Sequence, residues 1–453
     1  MENFYVDERF LNSFQKVFEK NYVQDAHLGT TEVLNGCVLL RQKGSFKGIG
    51  VLDDQNVPVD FSKRYYPNDE FCVPSCPDEK DETVIYGGYL FEHWEHFLVE
   101  STCRLWYVLQ NADDKTPVVF GAAREPSKVF RDFFELLGVA DRIEFVYRPT
   151  RFKKVIVPEP AFLFCRQESI SPLFLKPFDR IAERVTPAGY KKVYLSKSKW
   201  SGLDFQCFGE EKLERAFKEN GYRIVYPEKM TLKEQVAVLK GAEEIATTAG
   251  TLAHNILFAP DLGDKRRTLI ISNRAPLPLP VQACLNQLRN VRCLSVDAFY
   301  SPVETSFIKG PFFWHITEFV RKAFQDLNMT LPAAGEGKAP FERFVQAWGN
   351  VYWNKQGEAY IDLIGQIKDD ESERATVSRL ADCFKRKSLF KRQLFRLMYH
   401  LTKGKAKSAF KFLYKGASFV KTEENKAFLR RLKERRQTGA FGNDDGQKNI
   451  KKG

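Results

Sequence analysis

The chain is 453 residues long and 43% hydrophobic, with 39 phenylalanines, enough for two or three domains with real cores, which excludes a disordered protein. Its formal net charge of +12 is confined to the end: from Lys385 onward there are 21 Lys plus Arg against 5 Asp plus Glu, leaving 49 against 53 before it. A nearly neutral body excludes a nucleic-acid groove running through it.

The opening MENFYVDERFLNSF is acidic and amphipathic and lacks the apolar core of a secretory signal. No stretch approaches the roughly 20 apolar residues of a spanning helix, so a soluble or peripheral protein is expected. The nine cysteines are odd in number and irregularly spaced, which suggests a reducing compartment. Cys72 and Cys76, a lone CxxxC, read as ordinary thiols.

In chain order, residues 5–30 read as helical, and 37–40 and 48–52 as short strands. Residues 56–82, rich in Pro and Asp, read as loop. A strand over 83–86 ends in Gly87-Gly88, and a helix follows over 92–110. Strand 117–120 precedes helix 128–137, which Gly138 stops; 143–147 and 153–157 are strands. This alternation predicts a mostly parallel sheet. From Tyr190 it becomes regular: strands over 192–195, 222–226, 244–248, 268–271 and 291–296 alternate with helices over 210–219, after the capping box Thr231–Glu234, over 252–258 and over 281–288. Such a unit is doubly wound and binds ligands at the carboxyl ends of its strands. Residues 333–339 read as a linker. Helices follow, then a polar, disordered end after Gln437.

Three segments at strand ends carry chemistry. The first is Gly87-Gly-Tyr-Leu-Phe-Glu-His-Trp-Glu-His-Phe-Leu-Val-Glu100. Gly87 and Gly88 allow close approach of a ligand to backbone. His93, His96 and Glu100 share a helical face, and His93 in the first turn can act as general base or donor to a sugar. Alternatively, His93 caps the helix and His96 packs on Trp94. The spacing HxxHxxxE could supply metal ligands but lacks the HExxH pattern, and no metal is expected. The second segment, Tyr194-Leu-Ser196-Lys197-Ser-Lys199, offers phosphate donors or a solvated basic turn. The third is Thr247-Thr-Ala-Gly250-Thr251-Leu-Ala-His254-Asn255. There a strand runs through Gly250 into a helix whose N-terminus suits a diphosphate; a satisfied cap and a structural Asn are the bland alternative.

In order and spacing these segments resemble glycosyltransferase family 61. The resemblance rests on His93-Trp94 with Glu100, on Tyr194-Leu-Ser-Lys197 at a strand end, and on Pro227-Glu228-Lys-Met-Thr-Leu-Lys-Glu-Gln235. Gly250-Thr-Leu-Ala-His-Asn-Ile-Leu-Phe258 and the pair Asn286-Gln287 complete it. It covers residues 80 to 300 and is clearest from 190. Lys197 stands where the family has Arg, Lys199 stands in for a second basic residue, and Ala253 replaces a Leu.

The resemblance implies an α/β fold of GT-B type, two Rossmann-like lobes facing a cleft. It implies inverting transfer from a nucleotide sugar, usually a UDP-sugar, with no cofactor required; the absence of a DxD motif agrees with that. The expected organisation is an N-terminal helical segment (1–30), an acceptor lobe (31–187), a nucleotide-sugar lobe (188–302), a helix returning toward the N-terminal lobe (303–332), and a linker with a basic helical tail (333–453). His93 is the expected base, with Glu100 or Glu95 as the other candidates. Gly87, Gly88, Ser196, Lys197, Lys199, Glu228, Gly250, Thr251, His254 and Asn255 are expected to bind the nucleotide sugar.

The acceptor is expected to be a growing bacterial surface glycan, such as a capsular polysaccharide, on a lipid carrier. A non-catalytic scaffold in a polysaccharide assembly complex is the alternative. In the tail, Phe390, Leu394, Leu397, Met398 and Leu401 share a face ringed by Lys391, Arg392, Arg396, Lys403 and Lys407, so residues 385–436 are expected to hold an anionic membrane surface. The expected location is the inner face of the cell membrane, and no nucleic acid is expected as partner: the tail lacks the interleaved aromatics of a stacking platform.

Overall fold

The structure, a computed structural model, describes residues 3–24, 27–42, 45, 47–64, 70–111, 113–163, 170–200, 207–300, 310–332, 340, 343, 344 and 347. The chain divides into two units, Met1–Trp348 and Gly349–Gly453, and the described residues all belong to the first. The basic tail and its apolar face lie outside the described residues.

The chain begins with strand β1 (Asn3–Tyr5) and helix α1 (Glu8–Phe18), capped by the Asp7 carboxylate, which accepts from Arg9 N. Strands β2 (Thr30–Leu34), β3 (Cys37–Leu39) and β4 (Gly50–Leu52) follow. β5 (Asp78–Leu90) is longer than the four residues expected: it begins at Asp78, in the stretch read as loop, where it pairs with β8, and it runs on through Gly87 and Gly88. A Cβ at Gly87 would lie 2.5 Å from the Phe120 ring, so the glycine admits that ring to the strand's face. Gly88, at φ 118°, forms the bulge there.

The long helix expected over 92–110 is instead three pieces: α2 (Trp94–His96), a π-turn over Phe97–Ser101 and α3 (Leu105–Gln110). Buried hydroxyls compete with the helical ladder here. Thr102 Oγ1 donates to Leu98 O, and Ser101 Oγ donates to Tyr89 O while accepting from Phe91 N. Then come β6 (Val118–Ala122), α4 (Lys128–Leu137), closed by left-handed Gly138 as expected, β7 (Ile143–Val146), β8 (Thr150–Pro158) and α5 (Lys176–Glu183).

The second half follows the expected alternation closely: β9 (Lys192–Leu195), β10 (Cys207–Phe208), α6 (Glu210–Glu219), β11 (Arg223–Val225), α7 (Leu232–Gly241), β12 (Glu244–Thr248), β13 (Thr268–Asn273), α8 (Pro280–Leu288) and β14 (Arg292–Asp297). The capping box before α7 is complete: Thr231 Oγ1 accepts from Glu234 N, and the Glu234 carboxylate accepts from Thr231 N. Short strands β15 (Phe299–Tyr300) and β16 (Phe312–Trp314) and helix α9 (Glu318–Asp326) close the described chain.

These elements build two large sheets. The first has seven strands in the order β4-β3-β8-β5-β6-β7, with β2 also paired to β8. Its β8-β5-β6-β7 part is parallel, and β2, β3 and β4 join antiparallel. The second is all parallel, in the order β1-β14-β13-β12-β9-β11. Helices α4, α5 and α7 pack on one another between the two sheets. One core joins Ile85 and Phe120 of the first sheet to Val193, Ile245 and Leu269 of the second. The other face of the second sheet is covered by α6 and α9 around Tyr194, Phe217 and Phe324.

Two placements depart from the expected organisation. The N-terminal segment, expected to be helical over 1–30, is helical only over Glu8–Phe18: β1 pairs with β14, and α1 packs on α8. Gln287 ties the segment down, accepting from Tyr22 N and donating to Lys20 O. Helix α9, expected to return toward the N-terminal half, packs instead on β14 and β1, where its buried Val320, Ala323 and Phe324 find an apolar face.

Candidate functional site

In the second sheet the chain leaves β9 toward β11 on one side and returns at β12 on the other. This is the topological switch point of a doubly wound sheet, and ligands bind outside the carboxyl ends of the strands that flank it. Ser196-Lys197 follow β9, and Ala249-Gly250-Thr251 follow β12. Two of the three segments singled out in the sequence therefore meet at the crevice.

The third segment is brought to the same place. The Trp94 indole Nε1 donates to Asn255 Oδ1 at 2.7 Å, and its ring stacks on Phe258 with centroids 6.4 Å apart. Thr251 Oγ1 donates to Glu95 Oε2 at 3.4 Å. The end of β5 and the end of β12, more than 150 residues apart in sequence, are thus joined by hydrogen bonds and ring contact.

Gly250 stands at φ 119°, which glycine alone adopts easily, and the position of a Cβ on it would lie 3.4 Å from Arg274 Nη2. Residues 253–258 form a six-residue 3-10 turn in place of the α-helix expected from 252. Its dipole is accordingly short, and the positive charge at the crevice comes from side chains. Lys197, half-buried, has its ammonium 4.9 Å from the Trp314 ring centroid, and the Arg274 guanidinium lies 4.6 Å from that of Phe312. Burial first, and then the charge of Arg274, hold the Lys197 ammonium below its usual range. Both cations also bear on the Cys207 thiol, which burial pushes up. Two converging, partly desolvated cations beside a glycine turn suit a diphosphate.

Arg274 is not among the residues expected from the sequence. The signal that could have found it is its position one residue past β13, at the same edge as Lys197 and Gly250. It is a second cation at this edge, whereas Lys199 is exposed, with its ammonium 5.9 Å from the Tyr226 ring centroid.

His254 is completely buried, and neither of its ring nitrogens has a hydrogen-bond partner among the described residues. Burial holds its pKa below the ordinary histidine value, and the charges of Glu95, His93, His96 and Arg274 all reach it. A neutral imidazole with both nitrogens unengaged amid these groups can meet a bound ligand. His93 stands exposed at the mouth, at the N-cap of α2 without capping it through its side chain. The surrounding protein first, and His96 second, lower its pKa, against the opposing effect of Glu95.

Other expected site residues are engaged within the protein. Ser196, fully buried, donates to Glu214 Oε1 at 2.5 Å and accepts from Ser198 N at 3.0 Å, so its hydroxyl shapes the loop that presents Lys197. Asn255 is occupied by Trp94, and Gly87 and Gly88 answer to the packing and the bulge of β5. Glu100 is buried beneath Arg64, which donates through Nη2 at 2.8 Å and also through Nε, and its other contact is His96 Nδ1. Glu228 is exposed on the turn after β11, and Asn286 accepts from Gln282 Nε2 at 2.9 Å. Among the described residues, no group of three or more His, Cys, Asp or Glu is placed to hold a metal.

Residues 94–263, which contain the Trp94, Lys197 and Gly250–Asn255 positions, match the family model of glycosyltransferase 61. The chain carries a glycosyltransferase family 61 domain over this stretch. It is accordingly a glycosyltransferase, built on an α/β fold whose two large sheets are one parallel and one mixed, beside a small three-stranded sheet β10-β16-β15. No curated protein matches the chain. Two residues central to the crevice, His93 and Arg274, lie just outside the matched stretch of this glycosyltransferase. No helix among its described residues is long and apolar enough to cross a membrane.

Proposed function

We propose that this glycosyltransferase moves a sugar, with inversion, from a nucleotide sugar, first of all a UDP-sugar, to a hydroxyl of a growing surface glycan such as a capsular polysaccharide. The reading is of GT-B type: the second sheet holds the nucleotide and the first receives the acceptor. The observation that carries it is the meeting of the β5 end with the switch point of the second sheet. The exposed His93 stands on that end, and both it and Arg274 act on His254, beside the crevice that holds Lys197 and Gly250. Inverting transfer needs both halves, a base for the acceptor hydroxyl and positive charge for the departing diphosphate.

His93 is the base. Lys197, Arg274 and the Gly250–Thr251 turn stabilise the leaving group, and His254 meets the donor. No metal or cofactor is assigned a role. The acceptor enters on the first sheet, between the ends of β5 and β8. That is the switch point of the first sheet, since β5 lies between β8 and β6. Incubating the full chain with a panel of nucleotide sugars tests the reading. Release of nucleoside diphosphate from at least one of them is expected, and accelerated by a glycan acceptor. Release from none would favour a non-catalytic scaffold.

We further propose that the acceptor sits on a lipid carrier and that residues 385–436 hold the enzyme on the inner face of the cell membrane. The support is the charge excess of that segment and its apolar residues at helical spacing. In liposome flotation the full chain is expected to rise with anionic vesicles at low salt and to be released by high salt, whereas a chain ending at Asp382 stays below. Equal behaviour of the two would remove the tail from the account.

A further inference from the structure

Behind His93 lies a set of buried charged groups that the assignment of a base does not use. Glu100, 8% exposed, is clamped by the Arg64 guanidinium through two nitrogens, and each of these side chains is 7% exposed. The other contact of the carboxylate is Nδ1 of His96, so that nitrogen carries the proton shared with Glu100. The Phe91 ring, 5.6 Å from the His96 ring, has the Arg64 guanidinium 5.1 Å away, closing the chain from the side. The His96 ring lies 5.2 Å from that of His93. The π-turn over Phe97–Ser101 places Glu100 within reach of His96 on the inner face, and π-turns recur at functional sites.

We propose that Arg64, Glu100 and His96 form a buried positioning chain that controls the proton on His93. Glu100 is then a positioning residue and no base, since Arg64 and His96 already occupy its carboxylate. When His96 carries its second proton, Glu100 is its counter-ion, and the charge faces His93 across 5.2 Å. That charge disfavours a proton on His93 and keeps the exposed imidazole available as an acceptor of protons. The other groups bearing on His93 are Glu95 on its own segment, which opposes the effect, and His254 from the β12 side, itself within the field of Arg274.

The inference rests on His93 being the base only for its effect on rate, so the test has two readouts. The full chain has 6 histidines, and ¹³C labelling at Cε1 allows each to be titrated by NMR, with His93 assigned by the loss of its signal in His93→Gln. In His96→Gln the midpoint of His93 is expected to rise by about one pH unit, the size of a charge interaction at this separation in a partly solvated site. The acid limb of kcat/KM should rise by the same amount. A His93 midpoint that does not move would overturn the chain. A midpoint that moves while the rate profile does not would uphold the chain and instead overturn His93 as base. Should His96→Gln not fold, His96→Asn reads the same quantity by removing the same charge, with the same direction expected and the same result overturning it.

Discussion

Replacing His93 with alanine is expected to lower turnover by about 10²-fold or more, the usual contribution of a general base, and to leave nucleotide affinity nearly unchanged. His93 is at the N-cap of α2, on the segment that leaves the first sheet, while the cations of the crevice stand on the second. Its ring is exposed, so truncation costs little packing. Because the surrounding protein and His96 hold its pKa below the ordinary histidine value, the base is deprotonated down to lower pH than a free imidazole. The acid limb of kcat/KM should therefore lie below the usual midpoint near about 6.5, and it should vanish in His93→Ala. Turnover that survives within a few-fold would shift the base to Glu95, whose carboxylate already reaches Thr251.

The second large effect falls on binding. Lys197→Ala and Arg274→Ala are each expected to weaken a nucleoside diphosphate by about 10- to 100-fold, matching the roughly 1.5–3 kcal/mol of a charge-assisted hydrogen bond. Burial, and with it the charge of Arg274, holds the Lys197 ammonium below its usual range, so each single variant leaves the remaining cation better able to hold the ligand, and the double variant should lose more than the sum of the single losses. Lys199→Ala serves as the contrast. Its ammonium is exposed beside Tyr226, and a change of less than about threefold is expected, in line with a screened surface charge. A larger loss from Lys199 than from Arg274 would reverse the assignment of the second cation.

Much of this architecture is legible in the sequence where local chemistry decides the outcome. The Thr231–Glu234 capping box fixes the start of α7, and Gly138 ends α4 in the left-handed conformation that suits it. The strands from Lys192 to Asp297 follow from their alternation with helices. What local reasoning misses is set by distant partners. β1 is three residues long and becomes a strand only because β14, with Leu294 opposite Asn3, offers an edge. The break between α2 and α3 comes from hydroxyls that find carbonyls only once Ser101 and Thr102 are buried.

The site divides in the same way. His93, Lys197, Gly250 and His254 are identifiable as residue types suited to the chemistry at strand ends. The opposite roles of Glu100 and Arg274 are not. Glu100 shares a helical face with two histidines, which makes it look like a base, but its partner Arg64 comes from 36 residues upstream. Arg274 belongs to no motif, and only the parallel register of β12 with β13 carries it to Gly250.

Calorimetric titration of UDP into the full-length protein, into His93→Ala and into the Lys197→Ala, Arg274→Ala double variant tests the central claim most directly, because it separates the two halves of the crevice. Wild type and His93→Ala are predicted to bind with the same affinity, and the double variant to bind at least about tenfold more weakly, the lower bound set by a single charged contact. Failure of wild type to bind UDP or any other nucleoside diphosphate, or a double variant that binds as tightly as wild type, would contradict it.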